Sequence, residues 1–343
     1  MENERTTANI FRTVISVNRK LIFDFFIAVI IGIVCSFICL FALIQRNLFA
    51  SDFQFPLDAS RAIIAKDNPY TSVVPKGKYP FDQYFYYPIV ASFVAIPLAG
   101  LPDQLAGAAF IGLSSGFLGY VLIKKERWRL GLLLSAPAFV TIYTAQWSFL
   151  IAAIVFIPSL QFLLICKPNI GTPGFFYKPT KIGIISIILG LLISIIIYPT
   201  WVIDWINTLG YTARYHLTPA NSILIVFLVF CLLQYKKPEG RLLSVMLIAP
   251  QSMFFYDQLL LWLIPKTRVE LWLMNILSWV GYILWRINLR GLPDTGQYVP
   301  SAYPFVLWLI YFPAIVILLF AHIKGAVKAI MIKLSAGKKK QIK

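Results

Sequence analysis

Charge is scarce in this chain. Only 13% of its 343 residues are charged, and 14 are acidic, whereas a soluble domain is typically about a quarter charged. The length would accommodate two soluble domains, but no polar stretch is long enough to form one. Histidine occurs twice and cysteine four times. Cys35, Cys39, Cys166 and Cys231 lie in or at the ends of apolar runs. Cys35 and Cys39 share a helix face, but nothing nearby resembles a metal set. No Asp-x-Asp occurs, so no metal is expected. No glycine-rich turn joins a strand to a helix, which argues against a Rossmann-like nucleotide site, and no other cofactor is implied. There is no internal repeat, and low complexity is confined to the lysine-rich tail.

What is abundant is apolar sequence, at 59%. Apolar runs recur from Leu21–Leu43 to Phe305–Ile323, and runs of roughly twenty residues cross a bilayer as helices. The expected class is an all-α polytopic membrane protein, one integral-membrane domain over residues 1–343. Leu21–Leu43 is too long for a signal-peptide core and follows a long polar leader, so it reads as an uncleaved first span. Runs such as Leu259–Ile264 are too short to cross upright and require polar ends or burial in protein.

The net charge of +17 does not indicate nucleic acid. The bases gather between apolar runs, at Arg19-Lys20, "KKERWR", "KK" at Lys236 and "GKKKQIK", as in cytoplasmic loops that face anionic lipid. With the leader 1–20 and the tail 325–343 inside, residues 47–86 fall outside. Tyr87–Leu101 must then dip in and return, so that "KKERWR", "KPNIGTPGFFYKPTK", "KKPEGR" and "PKTR" all face the cytoplasm. This predicts about ten crossings plus one re-entrant or tilted segment, in a membrane expected to be a bacterial plasma membrane. The outer loops are then Asn47–Tyr86, Pro199–Pro219 and Arg286–Tyr303.

The first outer loop predicts a short helix. Pro56 opens it, Asp58 suits its first turn and Lys66 its last, and Asn68-Pro69 stops it. Leu57, Ile63 and Ile64 form an apolar side directed at lipid. Behind it, "YPFDQYFYYP" supplies aromatic anchors.

Polar groups that could carry chemistry gather on this outer face. Asp52 follows the first span, and Arg61, Lys76, Lys78, Asp82, Tyr86 and Tyr87 lie in the first loop. The second loop offers Arg214 and His216, and Gln146-Trp147 and Tyr256-Asp257 sit at breaks between apolar runs. Carboxylate, imidazole, cationic and aromatic groups at one membrane surface suit a polar substrate with an anionic group. Each also has a plainer reading. Asp52 is a solvated carboxylate ending a span, Asp58 a helix-dipole residue, Lys76 and Lys78 a solvated loop, the tyrosines an interface belt, and Asp24 structural.

The stretch "SDFQFPLDASRAIIAKDNPY" with the later "YYPIVASFVAIPLAGLP" resembles the start of glycosyltransferase family 87. "AQWSFLIAAIVF" is similar to that family's Gly-Gln-x-Asn break and "APQSMFFYDQLLL" to its Pro…Tyr-Asp break. The resemblance covers the first half well and the second half loosely. Ala145 and Ser148 replace the family's glycine and asparagine, and Met253 and Phe255 stand in place of its Trp-x-His variant.

The resemblance implies a GT-C-like bundle of about 10–11 transmembrane helices that moves a hexose, mannose in the best-known members, from a polyprenyl-phosphate-linked sugar donor to a glycolipid or glycan acceptor, with inversion. It implies Asp52 as general base. Arg214, His216, Lys76 or Lys78 would face the leaving phosphate. Two other classes stay open: a transporter or flippase of lipid-linked sugars, and a non-catalytic subunit of a polysaccharide assembly complex.

Overall fold

A computed structural model describes residues 2–81, 83–212, 225–289 and 300–320. Among the described residues the fold is all-helical, without a strand. Arg214, His216, Asp82, most of the third outer loop and the basic tail lie outside the described residues.

The frame is an antiparallel pair. Helix α1 (Glu2–Gln45) runs unbroken for 44 residues, so the leader continues the helix of the first span. It packs along α5 (Asp103–Glu126). A Cβ on Gly32 would lie 2.6 Å from the Gly112 carbonyl oxygen, so the two backbones meet where only glycine fits, a known device for helix pairs in lipid. At one end of the pair Lys124 donates to Asp24 at 2.8 Å, in keeping with a structural Asp24. At the other end Gln104 donates to the Leu48 carbonyl at 2.9 Å.

Three helical stretches are long and apolar enough to cross a membrane: Lys20–Gln45, Asp103–Leu134 and Tyr303–Phe320. Two bent pairs raise this to five. The first joins α6 (Ala136–Tyr143) to α7 (Ser148–Ile154) through 120°, and the second joins α9 (Lys181–Ile197) to α10 (Trp201–Thr212) through 97°. The described residues therefore carry fewer full spans than the ten expected. The apolar runs are real, but prolines such as Pro137 and Pro158 start new segments within them. Leu130–Tyr143 and Phe149–Cys166 fold as short α and 3₁₀ pieces that pack in part against other protein. Tyr87–Leu101 yields a short apolar helix, Ile89–Leu98, too short to cross.

The helix of the first loop forms, as α2 (Gln54–Ile64), but it is not interfacial. Leu57, Asp58, Ala59 and Ser60 are all buried, and α2 packs on α4 (Ile89–Ala95). Only Ile64 of the supposed lipid face is largely exposed, at 59%. The helix starts two residues before Pro56, so Asp58 is outside its first turn. Arg61 pairs with Asp58 and donates to the Ala99 and Leu101 carbonyls in the loop ahead of α5, which anchors α2 inward. Asn68 begins a new turn, α3 (Pro69–Ser72), accepting the Tyr70 N–H at 2.8 Å.

The basic loops gather at the end of the α1–α5 pair opposite Asp52. Arg129 pairs with Glu126 at 2.6 Å and donates to the Trp262 carbonyl. Lys266 pairs with Glu239, and Arg241 donates to the Phe176 and Tyr177 carbonyls. One expected cytoplasmic segment departs from this. Phe176–Tyr177 reach that end, but Lys167, at the head of α8 (Pro168–Tyr177), lies at the site described next.

A carboxylate cavity between the helix breaks

Five distant stretches of chain converge on one cavity of 1180 Å³. They are the turn after α1, the Tyr86-Tyr87 segment, the start of α8, α10 and the break after α12 (Pro238–Ile248).

Helix α1 ends in a Schellman motif. Leu48 N–H bonds the Leu43 carbonyl and Asn47 N–H the Ile44 carbonyl, both at 3.0 Å, with Asn47 at φ 49°. The chain then folds back through Ser51, at φ 52°, into a 3₁₀ turn carrying Asp52. Asp52 N–H donates to the Thr144 carbonyl at 3.3 Å. The Asp52 carboxylate lines the cavity, and among the described residues it makes no hydrogen bond or ion pair. Burial raises its pKa from the ordinary carboxylate value to about 6; Lys167 and Arg46 oppose this, and Asp257 adds to it.

Thr144 belongs to the break between α6 and α7. Helix α6 also ends in a Schellman motif: Gln146 N–H bonds the Thr141 carbonyl and Ala145 N–H the Ile142 carbonyl. Ala145 takes φ 47° there, a left-handed conformation that glycine adopts freely and alanine does not. Gln146 thereby reaches Lys167, whose ammonium donates to Gln146 Oε1 at 2.8 Å. The same ammonium lies 2.8 Å from Asp257 Oδ1 and 4.6 Å from the Tyr256 ring centre. Asp257 Oδ2 accepts from Ser252 Oγ at 2.6 Å and from Asn169 Nδ2 at 3.3 Å. Met253, at φ 51°, turns the chain between Ser252 and Asp257. Ser148 Oγ donates to the Tyr256 carbonyl at 2.6 Å.

Tyr86 and Tyr87 wall the cavity, their rings 4.9 Å apart and nearly parallel. Their backbone is pinned from two sides. Trp205 Nε1 donates to the Tyr86 carbonyl at 2.8 Å, and Tyr70 Oη donates to the Tyr87 carbonyl at 3.0 Å. Burial raises both phenol pKa values, so the rings stay neutral.

The structure sorts the expected site residues. Asp52, Tyr86, Tyr87, Tyr256 and Asp257 line the cavity, and Gln146 braces Lys167 beneath it. Trp147 is fully buried behind it, packed on Phe110, Phe53 and Tyr87. Three expected cations are elsewhere. Arg61 clamps α2, pairing with Asp103 at 2.6 Å and Asp58 at 3.0 Å and donating to the Ala99 and Leu101 carbonyls. Lys78 pairs with Asp67 at 2.6 Å, and Lys76 is exposed off the cavity. Asp58 is likewise held, by Arg61 and by Gln54 at 2.9 Å. Sequence reasoning missed Lys167, Arg46, Asn169 and Ser252. A lysine beside the apolar run ending at Cys166 reads as a loop charge; the one signal against that is a carboxylate at apolar depth, Asp257, in need of a cation.

Family models, curated proteins and solved structures give no match to this chain.

Proposed function

We propose that the chain is an integral-membrane glycosyltransferase that uses a polyprenyl-phosphate-linked sugar, with Asp52 as general base. In the reaction an acceptor hydroxyl forms a bond to the anomeric carbon as the carbon–oxygen bond to the carrier phosphate breaks. The electron pair of that bond leaves on the phosphate, the hydroxyl proton goes to Asp52, and the configuration inverts. The observation that carries this reading is the contrast between two carboxylates in one cavity. Asp257 has its oxygens occupied by Lys167, Ser252 and Asn169. Asp52 is unengaged, with a pKa lifted to about 6, near the working range that favours a base. The neutral faces of Tyr86 and Tyr87 suit a sugar ring, and the segments that resemble family 87 are those that meet here. The bilayer would be the source of the donor, and a glycolipid or glycan the acceptor.

The assay is direct. Purified protein in nanodiscs receives a polyprenyl-phosphate sugar or the matching nucleotide sugar, with glycolipid and glycan acceptors, and products are read by mass spectrometry. Transfer from the lipid donor is expected. Transfer from the nucleotide sugar alone sinks the mechanism. The buried Lys167–Asp257 pair also suits an ion-coupled transporter. Movement of a lipid-linked sugar across the bilayer without a new glycosidic bond would establish that reading instead.

A further inference from the structure

The cavity needs a cation for an anionic substrate. Of the two that line it among the described residues, Lys167 is held by Asp257 and Gln146; Arg61 and Lys78 lie off the cavity and are paired with carboxylates there. Arg46 differs. It lines the cavity, and among the described residues no carboxylate lies within ion-pair distance of it. We propose that Arg46 seats the head of a monophosphate carried on a long apolar chain, with that chain lying on the outer face of α1. The proposal rests on the lipid-donor reading above and names the residue that would hold the donor.

Three observations carry it. The first is preorganisation. The Arg46 guanidinium carbon stands 4.2 Å above the Tyr143 ring centre, and Nη1 donates to the Tyr143 carbonyl at 3.3 Å. Stacking fixes the plane of the fork and leaves most of its five N–H donors free for the two-pronged contact that phosphate accepts. The second is continuity. Phe41, Ile44 and Phe49 are 66%, 55% and 66% exposed, and Leu48 and Phe49 also line the cavity. An apolar chain can stay against the lipid side of α1 while its head turns in past Arg46. The third is proximity. Arg46 and Asp52 line the same cavity one chain reversal apart, and Arg46 is close enough to act on the Asp52 carboxylate, so a phosphate held at Arg46 lies in the cavity that holds the base. The negative end of the α1 dipole would oppose an anion here, but the Schellman bonds already occupy the Leu43 and Ile44 carbonyls.

The plainer role for such an arginine is a headgroup anchor that accepts any anionic lipid, and the test separates the two. Full-length protein in nanodiscs of zwitterionic lipid is titrated with a polyprenyl monophosphate lacking sugar, and binding is read by native mass spectrometry. Parallel arms use the corresponding polyprenol, inorganic phosphate and phosphatidylglycerol. The monophosphate should bind best, and Arg46→Gln should weaken it about tenfold or more, the effect of losing a charged hydrogen-bonding group. Arg46→Lys should fall between. Unchanged binding in Arg46→Gln, equal binding of polyprenol, or full displacement by phosphatidylglycerol or inorganic phosphate overturns the proposal. If Arg46→Gln does not fold, Tyr143→Leu decides, with weakened monophosphate binding expected and unchanged binding fatal. Because no sugar or acceptor is present, failure of glycosyl transfer leaves this result standing, and the reverse also holds.

Discussion

The Lys167 ammonium lies 2.8 Å from Asp257 Oδ1 and equally close to Gln146 Oε1, so one buried cation joins two helix breaks. That pairing is what leaves Asp52 as the disengaged carboxylate. A buried pair adds little net stability, yet removing one partner strands a charge at a cost of about 3–5 kcal/mol.

Lys167→Met should therefore lower thermal stability in detergent sharply. Adding Asp257→Leu should recover much of the loss. A double variant no more stable than Lys167→Met would show that the pair does not govern this region.

Asp52→Asn should abolish most transfer, by about 10²–10⁴-fold, while Asp58→Asn, in the α2 clamp, should act mainly on stability. Burial raises the Asp52 pKa, so the folded state holds a proton that the unfolded chain releases between its ordinary value of 3.8 and about 6. Stability from this group is thus lost as pH rises through that window. Asp52→Asn should melt higher than wild type at neutral pH but not at pH 4. The transfer rate of the wild type should rise with pH through about 6. A flat rate profile from pH 5 to 7 would remove Asp52 from the role.

Ala145→Gly should stabilise the protein. A non-glycine residue in the left-handed region costs roughly 1–2 kcal/mol, offset in part by the entropy glycine brings to the unfolded chain. The melting temperature should rise with activity kept. A fall would mean that the Ala145 methyl packs usefully at this turn.

Lys76 and Lys125 should lie on opposite sides of the membrane. Single cysteines at these positions, in a cysteine-free background, should react with an impermeant thiol reagent from outside at 76 and only after membrane opening at 125. Labelling of both from one side would make Tyr87–Leu101 a full crossing.

Much of this was readable in the residues. The apolar runs specify a helical membrane protein, and Asp52, Tyr86-Tyr87, Gln146 and Tyr256-Asp257 stand out as polar groups at breaks. Charge defeated the rest. Lysine beside an apolar run signals a cytoplasmic loop on average, but Lys167 neutralises a carboxylate some ninety positions away, a relation without local trace. Arg61 carries the charge of a ligand and serves as a clamp, because its partners Asp103, Ala99 and Leu101 are brought in only by packing. The amphipathic pattern of α2 is equally ambiguous, since an apolar face can meet lipid or protein.

The break spanning 143–148 sets the order in which the molecule can be completed. Its contacts reach back 97 positions, from Tyr143 to Arg46, and forward 108, from Ser148 to Tyr256. Each closes a long loop, whose entropic cost must be met before any site contact repays it. The α1–α5 pair can form once Glu126 has been made, but the Lys167–Asp257 ion pair must wait for Asp257. At the stage before that, Lys167 has only Gln146 and the more distant Asp52 to face. Variants that slow the last third of the chain should expose that stage to membrane proteases well before they touch the finished protein.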